Sequence, residues 1–202
     1  MKNFGKARNL FKDFRSKIED NKEVLNDFVK AIDKLINEYD TAIYENRFIV
    51  GGAVEYIFIA LLRYLGFEVE HIGRGQRRVD IKINGIDFSI KTNFTGRGDI
   101  RLINRLGNKE ILWTEPTIFI ISELGIVYAD PDFLDTYDKG DAIVTNVNEI
   151  QRFVGEKPEY AVKVNIPRKA VKSKGYQTRL ASLDIAKTIL NQIKSELINY
   201  LG

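Results

Sequence analysis

The chain contains no cysteine and only one histidine, His71, among its 202 residues. The absence of cysteine excludes disulfide bonds and every site built on a thiolate. A single histidine argues against a histidine-rich metal site and against Ser-His-Asp catalysis. Any catalytic chemistry must therefore depend on carboxylate, lysine, tyrosine or serine side chains.

Long apolar runs are also absent, since none approaches the ~20 residues of a membrane-spanning helix. The N-terminus is charged and lacks the apolar core of a signal peptide, so we expect a cytoplasmic protein. A composition of 44% hydrophobic and 29% charged residues is typical of an ordinary soluble globular protein. The net charge of +3 does not by itself indicate a nucleic-acid partner, so the local basic runs carry more information.

The periodicity of apolar residues predicts a mixture of helices and strands. Helices are expected over 5–19, 22–45 and 53–65, the last opened by Gly51-Gly52 and ended by Gly66, with a closing helix over 182–200. Strands are expected over 67–72, in a hairpin over 78–92, and over 117–122, 126–128 and 160–166. Residues 93–112 and 131–157 are expected to be mostly irregular, with a short strand or helix in the first and a helix near 147–153. This order predicts a single α/β (α+β) domain with three layers and a mixed sheet that starts antiparallel.

The hairpin is the most informative segment of the chain. Asn84-Gly85 supplies the two positive-φ positions of a type I′ turn, which fixes the register of the flanking strands. In that register Lys82 faces Asp87, Asp80 faces Ser89, and Lys91 lies diagonal to Asp80. Because side chains alternate between the faces of a strand, one face is apolar and the other carries these charged and polar residues. A carboxylate and an ammonium group are therefore expected to lie close together on the polar face.

Glu55 is the only charged residue in the segment 53–62. An ionised carboxylate in so apolar a helix is costly unless it meets a cation or a metal ion. Since this helix leads directly into the sheet, we expect Glu55 to reach Asp80 and Lys91. Two carboxylates and water are suitable ligands for Mg²⁺. A purely structural interpretation remains open, because cross-strand ion pairs and a buried glutamate with an ion-pair partner need no function.

The segment that contains Glu55, Asp80 and Lys91 resembles the nuclease core of the PD-(D/E)XK superfamily. Both have a helix with Glu, a strand, a strand bearing Asp and a following strand that ends in Lys. The resemblance covers about residues 50–130 and is closest to small type II restriction endonucleases. Val79 stands where the motif has proline, and Ser89 stands where it has an acidic residue. Some members of the superfamily supply the missing carboxylate from the preceding helix, as Glu55 would here, and Asp87 is the alternative.

The resemblance implies a restriction-endonuclease-like three-layer core over 49–166, with a helical N-terminal extension over 1–48 and a basic segment and C-terminal helix over 167–202. It implies Mg²⁺-dependent hydrolysis of phosphodiester bonds in double-stranded DNA. Glu55, Asp80 and Lys91 would be catalytic, and the backbone carbonyl of Ile90 would join Glu55 and Asp80 in holding Mg²⁺. Symmetric cleavage of both strands would require a homodimer, with an interface supplied by the N- or C-terminal helices.

Basic and polar residues around the hairpin are the candidates for contact with DNA, because arginine suits both phosphates and guanine edges. One group precedes the Asp80 strand, a second follows Lys91, and a third lies in the basic segment 168–179. The candidates are Arg74, Gln76, Arg77 and Arg78, then Asn93, Thr95, Arg97 and Arg101, and then Lys172 and Lys174. Arg47 and Phe48 could enter the minor groove, although we expect Phe48 to pack in the core.

Two alternatives to a restriction enzyme remain open. A structure-specific nuclease with the same core, such as a junction-resolving or repair enzyme, would cut branched DNA but not plasmid. A non-catalytic nucleic-acid-binding or assembly protein of this fold would show salt-sensitive binding without Mg²⁺-dependent cleavage.

Overall fold

The computed structural model of the protein describes residues 4–39, 44–72, 78–105, 111–168 and 181–202. Within these ranges the chain forms five α-helices and nine β-strands, which confirms the predicted mixed α/β class. The helices are α1 (Gly5–Glu19), α2 (Lys22–Glu38), α3 (Tyr44–Tyr64), α4 (Val147–Glu156) and α5 (Ser182–Gln192). The strands are β1 (Val69–His71), β2 (Ile81–Ile83), β3 (Ile86–Asn93), β4 (Asp99–Asn104), β5 (Thr117–Ile121), β6 (Gly125–Ala129), β7 (Tyr137–Asp138), β8 (Ala142–Asn146) and β9 (Ala161–Val162).

The larger sheet has six strands in the order β1-β2-β3-β5-β6-β9. Its first pairs, β1–β2 and β2–β3, are antiparallel, whereas β3 and β5 are parallel. The sheet is therefore mixed and starts antiparallel, as predicted. Parallel neighbours need a long crossover, and here the connection from β3 to β5 contains β4, which belongs to a second sheet.

The β2–β3 hairpin has the predicted register. Asn84 and Gly85 both have positive φ, at 46° and 77°, as a type I′ turn requires. Ile83 pairs with Ile86, and Lys82 pairs with Asp87. The apolar face is buried in the core, with Ile81, Ile83 and Phe88 fully buried. Because the apolar face of the hairpin is buried in the core, the polar face is fixed in position.

The second sheet, in the order β4-β8-β7, was not predicted from the sequence. Residues 142–146 were expected to be irregular, but they form strand β8 and pair with β4. The short apolar run in β8 carries too little periodicity of its own, and its partner strand lies about 40 residues earlier in the chain. Helix α4 follows directly, and the side chain of Asn146 caps it by accepting a hydrogen bond from the Glu149 N–H at 3.0 Å.

The predicted boundary between the second and third helices is wrong. Helix α2 ends at Glu38, and α3 begins at Tyr44 and continues through Gly51-Gly52 instead of starting after this pair. A Cβ atom on Gly52 would lie 2.5 Å from Oγ of Ser182, at the start of α5. The glycine is therefore needed for close packing of α3 against α5 and does not mark a helix terminus.

Two further boundaries differ from the prediction near the C-terminus. The strand expected over 160–166 is only the two-residue β9, preceded by a 3₁₀ turn at Pro158–Tyr160. The closing helix ends at Gln192, and a 3₁₀ helix follows at Glu196–Tyr200. Lys194 between them has a φ of 55°, which a continuous right-handed helix cannot contain.

One hydrophobic core joins the helices to the sheets. Phe11 of α1 packs against Tyr128 of β6, and Phe14 packs against Phe58 of α3. Helix α5 packs along α3, so the N-terminal and C-terminal helices bury their apolar faces inside the same core. This packing holds α3, and with it Glu55, against β1 and β3 of the larger sheet. No helix in the described ranges is long and apolar enough to cross a lipid bilayer.

Candidate active site

Asp80 immediately precedes β2 and is held by three groups from β3. The Ser89 hydroxyl donates to Oδ2 at 2.9 Å, the Ile90 N–H donates to Oδ2 at 2.6 Å, and Nζ of Lys91 lies 3.6 Å from the same oxygen. The hydrogen bonds that the described residues donate to this carboxylate go to Oδ2. Oδ1 therefore remains available for a ligand, and the side chain is 27% exposed.

The backbone explains why the Asp80 side chain takes this position. Its N–H donates to the Phe88 carbonyl at 2.9 Å, and its carbonyl accepts from the Ile72 N–H at 3.1 Å. Asp80 is thus tied to both neighbouring strands although β2 itself starts one residue later. With the main chain fixed on both sides, the short side chain can accept from the neighbouring strand.

Glu55 lies on α3 with its side chain 23% exposed. Oε2 is 3.2 Å from Nε2 of His71. Burial raises the pKa of the Glu55 carboxyl, and the negative charge of Asp80 raises it further, whereas His71 and Lys91 lower it. Glu55 thus lies within the electrostatic influence of Asp80 and Lys91, and that it reaches them as part of one metal site stays a prediction.

Asp87, the alternative second carboxylate, lies in a different setting. Its Oδ1 is 3.7 Å from Nζ of Lys82, directly across the hairpin, and its side chain is 51% exposed. This is a solvated cross-strand pair of the kind expected to contribute little to stability. The geometry thus favours Glu55 as the carboxylate that acts together with Asp80.

The oxygen atoms of the site fit a hard divalent cation. In the part of the chain that the structure describes, no three or more His, Asp or Glu side chains are grouped to hold a metal ion. The predicted ligands are fewer than this, since they comprise two carboxylates and the carbonyl of Ile90. Mg²⁺ keeps several of its waters and is commonly bound through only one or two carboxylates. Asp80 Oδ1 accepts no hydrogen bond from a described residue, and it could coordinate such an ion while the partners of Oδ2 hold the side chain.

His71 is a member of the site that sequence reasoning missed. Besides its contact with Glu55, its ring lies 4.5 Å, centroid to centroid, from the ring of Tyr56. It pairs with Ile81 across the β1–β2 ladder, one residue from Asp80. The available signal was the position of the only histidine at the end of a predicted strand just before the hairpin.

A cleft of about 580 Å³ opens beside Lys91. Its charged lining includes Arg78, Lys91, Arg101 and Arg105, so two of the predicted DNA-contact residues, Arg78 and Arg101, line the same cleft as the lysine of the site. Arg101 is 55% exposed and lies 3.6 Å from Asp141. Arg105 is only 6% exposed, and it donates to Asp138 and to the Ile111 carbonyl. Arg101, which also donates to Asn104 at 2.9 Å, is accessible to an anion in the cleft, whereas Arg105 is mostly buried in the cleft wall.

Asn93 and Thr95, also predicted to contact DNA, shape the turn that follows β3. Oδ1 of Asn93 accepts from the Thr95 N–H, the Thr95 hydroxyl and the Gly96 N–H, at 2.9–3.1 Å. The Asn93 side-chain N–H also donates to the Arg97 carbonyl at 3.1 Å, and the Thr95 hydroxyl shares its single proton between this carbonyl and Asn93 Oδ1. Arg97 lies at an exposed position in this turn. Contact of Asn93, Thr95 and Arg97 with DNA stays a prediction.

Phe48 is 58% exposed, so the expectation that it packs in the core is wrong. It lies in the first half of α3, where the core-facing positions are taken by residues such as Val50 and Val54. The side chain of Arg47 falls outside the described part of the chain. The remaining candidates, Arg74, Gln76, Arg77, Lys172 and Lys174, lie outside the described residues altogether.

No family model, curated protein or solved structure matches this chain. The assignment of a function therefore depends on the residues and geometry of the site itself. Its likeness to PD-(D/E)XK nucleases stays a prediction from sequence.

Proposed function

We propose that the protein is a Mg²⁺-dependent DNA endonuclease of the restriction type, which hydrolyses phosphodiester bonds in double-stranded DNA. The observation that carries the proposal is the juxtaposition of Asp80 and Lys91, 3.6 Å apart, with Glu55 in their electrostatic field and a cleft rich in arginine beside them. A structural ion pair alone would account for Asp80 and Lys91. The contact of Glu55 with His71 needs no function by itself either, so the proposal depends on the combination of these groups beside a basic cleft.

Asp80 and Glu55 would hold Mg²⁺ together with the carbonyl of Ile90. When bound, the ion would polarise the phosphate and lower the pKa of a coordinated water. Ser89 and the Ile90 N–H orient Asp80 by occupying Oδ2, which leaves Oδ1 for the ion. Three-quarters of each carboxylate side chain is shielded from solvent, which strengthens its interaction with a cation.

Lys91 would act on the attacking water and on the phosphate. Its ammonium is held next to Asp80 and also lines the cleft, so it can contact a group bound there. In this position it would orient the water and offset the negative charge that develops on the phosphate oxygens. The ion pair with Asp80 keeps the ammonium in place before the substrate binds.

The cleft would receive the DNA backbone next to the reacting phosphate. Guanidinium groups suit phosphate because their planar donors match its oxygens in pairs. Arg78 and Arg101 line the cleft from either side of the hairpin in sequence, one just before Asp80 and one on β4. Cleavage of both strands at a symmetric site would use a homodimer with one such site in each protomer.

The proposal is tested by incubating the protein with plasmid and phage DNA, with Mg²⁺ or with EDTA, and sequencing the ends. We expect Mg²⁺-dependent cuts at defined positions. Cleavage of branched DNA only would identify a structure-specific nuclease. Salt-sensitive DNA binding without any cleavage would contradict catalysis and identify a binding protein.

A further inference from the structure

We propose that His71 is a positioning residue that holds the carboxylate of Glu55 through one oxygen and leaves the other for the metal ion. The inference rests on the proposed function, because it gives a role to a neighbour of the proposed metal ligand. It assigns this role to a side chain that the sequence resemblance does not include.

The hydrogen bond between His71 and Glu55 has a defined direction. An ionised carboxylate can only accept, so the imidazole Nε2, 3.2 Å from Glu55 Oε2, must donate its proton. This is the one hydrogen bond that the described residues make with the Glu55 side chain. It occupies Oε2 and leaves Oε1 to another ligand.

The imidazole ring of His71 is itself held in place. The ring of Tyr56, the residue after Glu55, packs against it at 4.5 Å between centroids. On the other side, the backbone of His71 is part of the β1–β2 ladder, where it pairs with Ile81. The ring is thus fixed both by the helix that carries Glu55 and by the strand next to Asp80.

The β1 strand also connects His71 to Asp80. The Ile72 N–H donates to the Asp80 carbonyl at 3.1 Å, so the residue after His71 is bonded to the residue that carries the other carboxylate. His71 therefore links the two ligands, which come from different elements. Removing hydrogen-bond partners of metal ligands commonly costs ~10–100-fold in metal affinity or activity.

Two substitutions separate the hydrogen bond from the packing. His71→Phe keeps a ring against Tyr56 but removes the donor, whereas His71→Gln restores an N–H donor without the ring. Mn²⁺ binding to the full chain without DNA is measured by calorimetry, and cleavage is measured over a Mg²⁺ titration. Glu70→Gln, an exposed change on the same strand, is the matched control.

We expect His71→Phe to weaken Mn²⁺ binding by ~10–100-fold and to raise the Mg²⁺ needed for half-maximal cleavage similarly. The turnover rate at saturating Mg²⁺ should stay close to that of the wild type, and His71→Gln should recover most of the affinity. A folding defect would not give this separation of metal affinity from turnover rate.

Equal Mn²⁺ affinity in wild type and His71→Phe would overturn the inference while leaving the proposed function intact. Equal loss in both His71 variants would also overturn it, because the imidazole itself would then be what binds the ion. A wild-type protein that binds Mn²⁺ with the expected His71 dependence but cuts no DNA would contradict the proposed function alone. Absence of Mn²⁺ binding to the wild type would overturn both.

Discussion

Ser89, which the predicted resemblance aligns with an acidic position of the PD-(D/E)XK motif, is a buried hydrogen-bond donor to Asp80. Its hydroxyl donates to Asp80 at 2.9 Å, and the residue is only 4% exposed. A serine here stabilises the charge of Asp80. In the proposed site the second carboxylate is that of Glu55 on α3.

Replacing Ser89 with alanine tests this role at the level of stability. We expect Ser89→Ala to lower the free energy of unfolding by roughly 1–3 kcal/mol, because it removes a buried hydrogen bond to a charged group. Denaturant unfolding in EDTA measures the change. Ser16→Ala, at an exposed position on α1, is the control and should change the free energy by less than about 0.5 kcal/mol. An equal effect of the two substitutions would contradict the role of Ser89.

The raised pKa of Glu55 predicts how stability depends on pH. Because the folded-state pKa lies above its usual value, chiefly through burial, the folded protein binds this proton more tightly than the unfolded chain does. Stability from this group is therefore present at low pH and is lost as pH rises from the unfolded to the folded pKa. We expect Glu55→Gln to remove this loss, so that its stability relative to wild type increases between acidic and neutral pH.

Urea unfolding at a series of pH values in EDTA measures this dependence. Glu156→Gln, at an exposed position on α4, provides a carboxylate control and should leave the pH dependence close to that of the wild type. A difference between Glu55→Gln and wild type that stays constant over this pH range would show that Glu55 is not destabilised by burial.

At the level of elements, the features that the sequence predicted well are those with local causes. The β2–β3 hairpin is specified by its own alternation and by Asn84-Gly85, and its register is as predicted. The pairing of β4 with β8 and the passage of α3 through Gly51-Gly52 depend on partners far away in the sequence. The contact between His71 and Glu55 also depends on tertiary structure, because it exists only once α3 has docked against β1.

The glycine pair in α3 offers a direct test of helix packing. A Cβ atom on Gly52 would lie 2.5 Å from Oγ and 2.9 Å from Cβ of Ser182, whereas one on Gly51 would meet nothing within 4 Å. We expect Gly52→Ala to destabilise the protein by roughly 1–3 kcal/mol through overpacking. Gly51→Ala should be neutral or stabilising by up to about 1 kcal/mol, since alanine favours the helix. Thermal and denaturant unfolding of the two variants check the opposite signs, and a Gly52→Ala variant as stable as Gly51→Ala would contradict the close packing.

At the scale of the whole molecule, charge is distributed unevenly although the net charge is only +3. The sequence indicated basic segments on either side of the hairpin, and the structure places Arg78 and Arg101 in one cleft with Lys91. That cleft could not be foreseen in detail because one wall comes from β4, whose partner strand β8 was not predicted.

Removal of the cleft arginines should weaken DNA binding through electrostatics. We expect Arg78→Ala and Arg101→Ala each to reduce the slope of log K against log salt concentration by about 1, with little dependence on DNA sequence if the contacts are to phosphate. Fluorescence anisotropy in EDTA over a salt series measures this. Arg152→Ala is the control, since this exposed arginine pairs with Glu149 on α4 and does not line the cleft. Equal slopes for all three variants and the wild type would exclude the cleft as the path of the backbone.

We propose that Asp80 and Lys91 form a catalytic pair and not merely a structural one. The same hairpin contains a second ion pair that serves as the control. Lys82 and Asp87 form a second cross-strand pair with a nearly equal separation, 3.7 Å against 3.6 Å. The decisive measurement is Mg²⁺-dependent plasmid cleavage by Asp80→Ala, Lys91→Ala, Lys82→Ala and Asp87→Ala, with DNA affinity measured in parallel. We predict that the first two lose at least ~10²–10³-fold in cleavage rate while still binding DNA, and that the last two cut like the wild type. Full cleavage by Asp80→Ala or by Lys91→Ala would contradict the account.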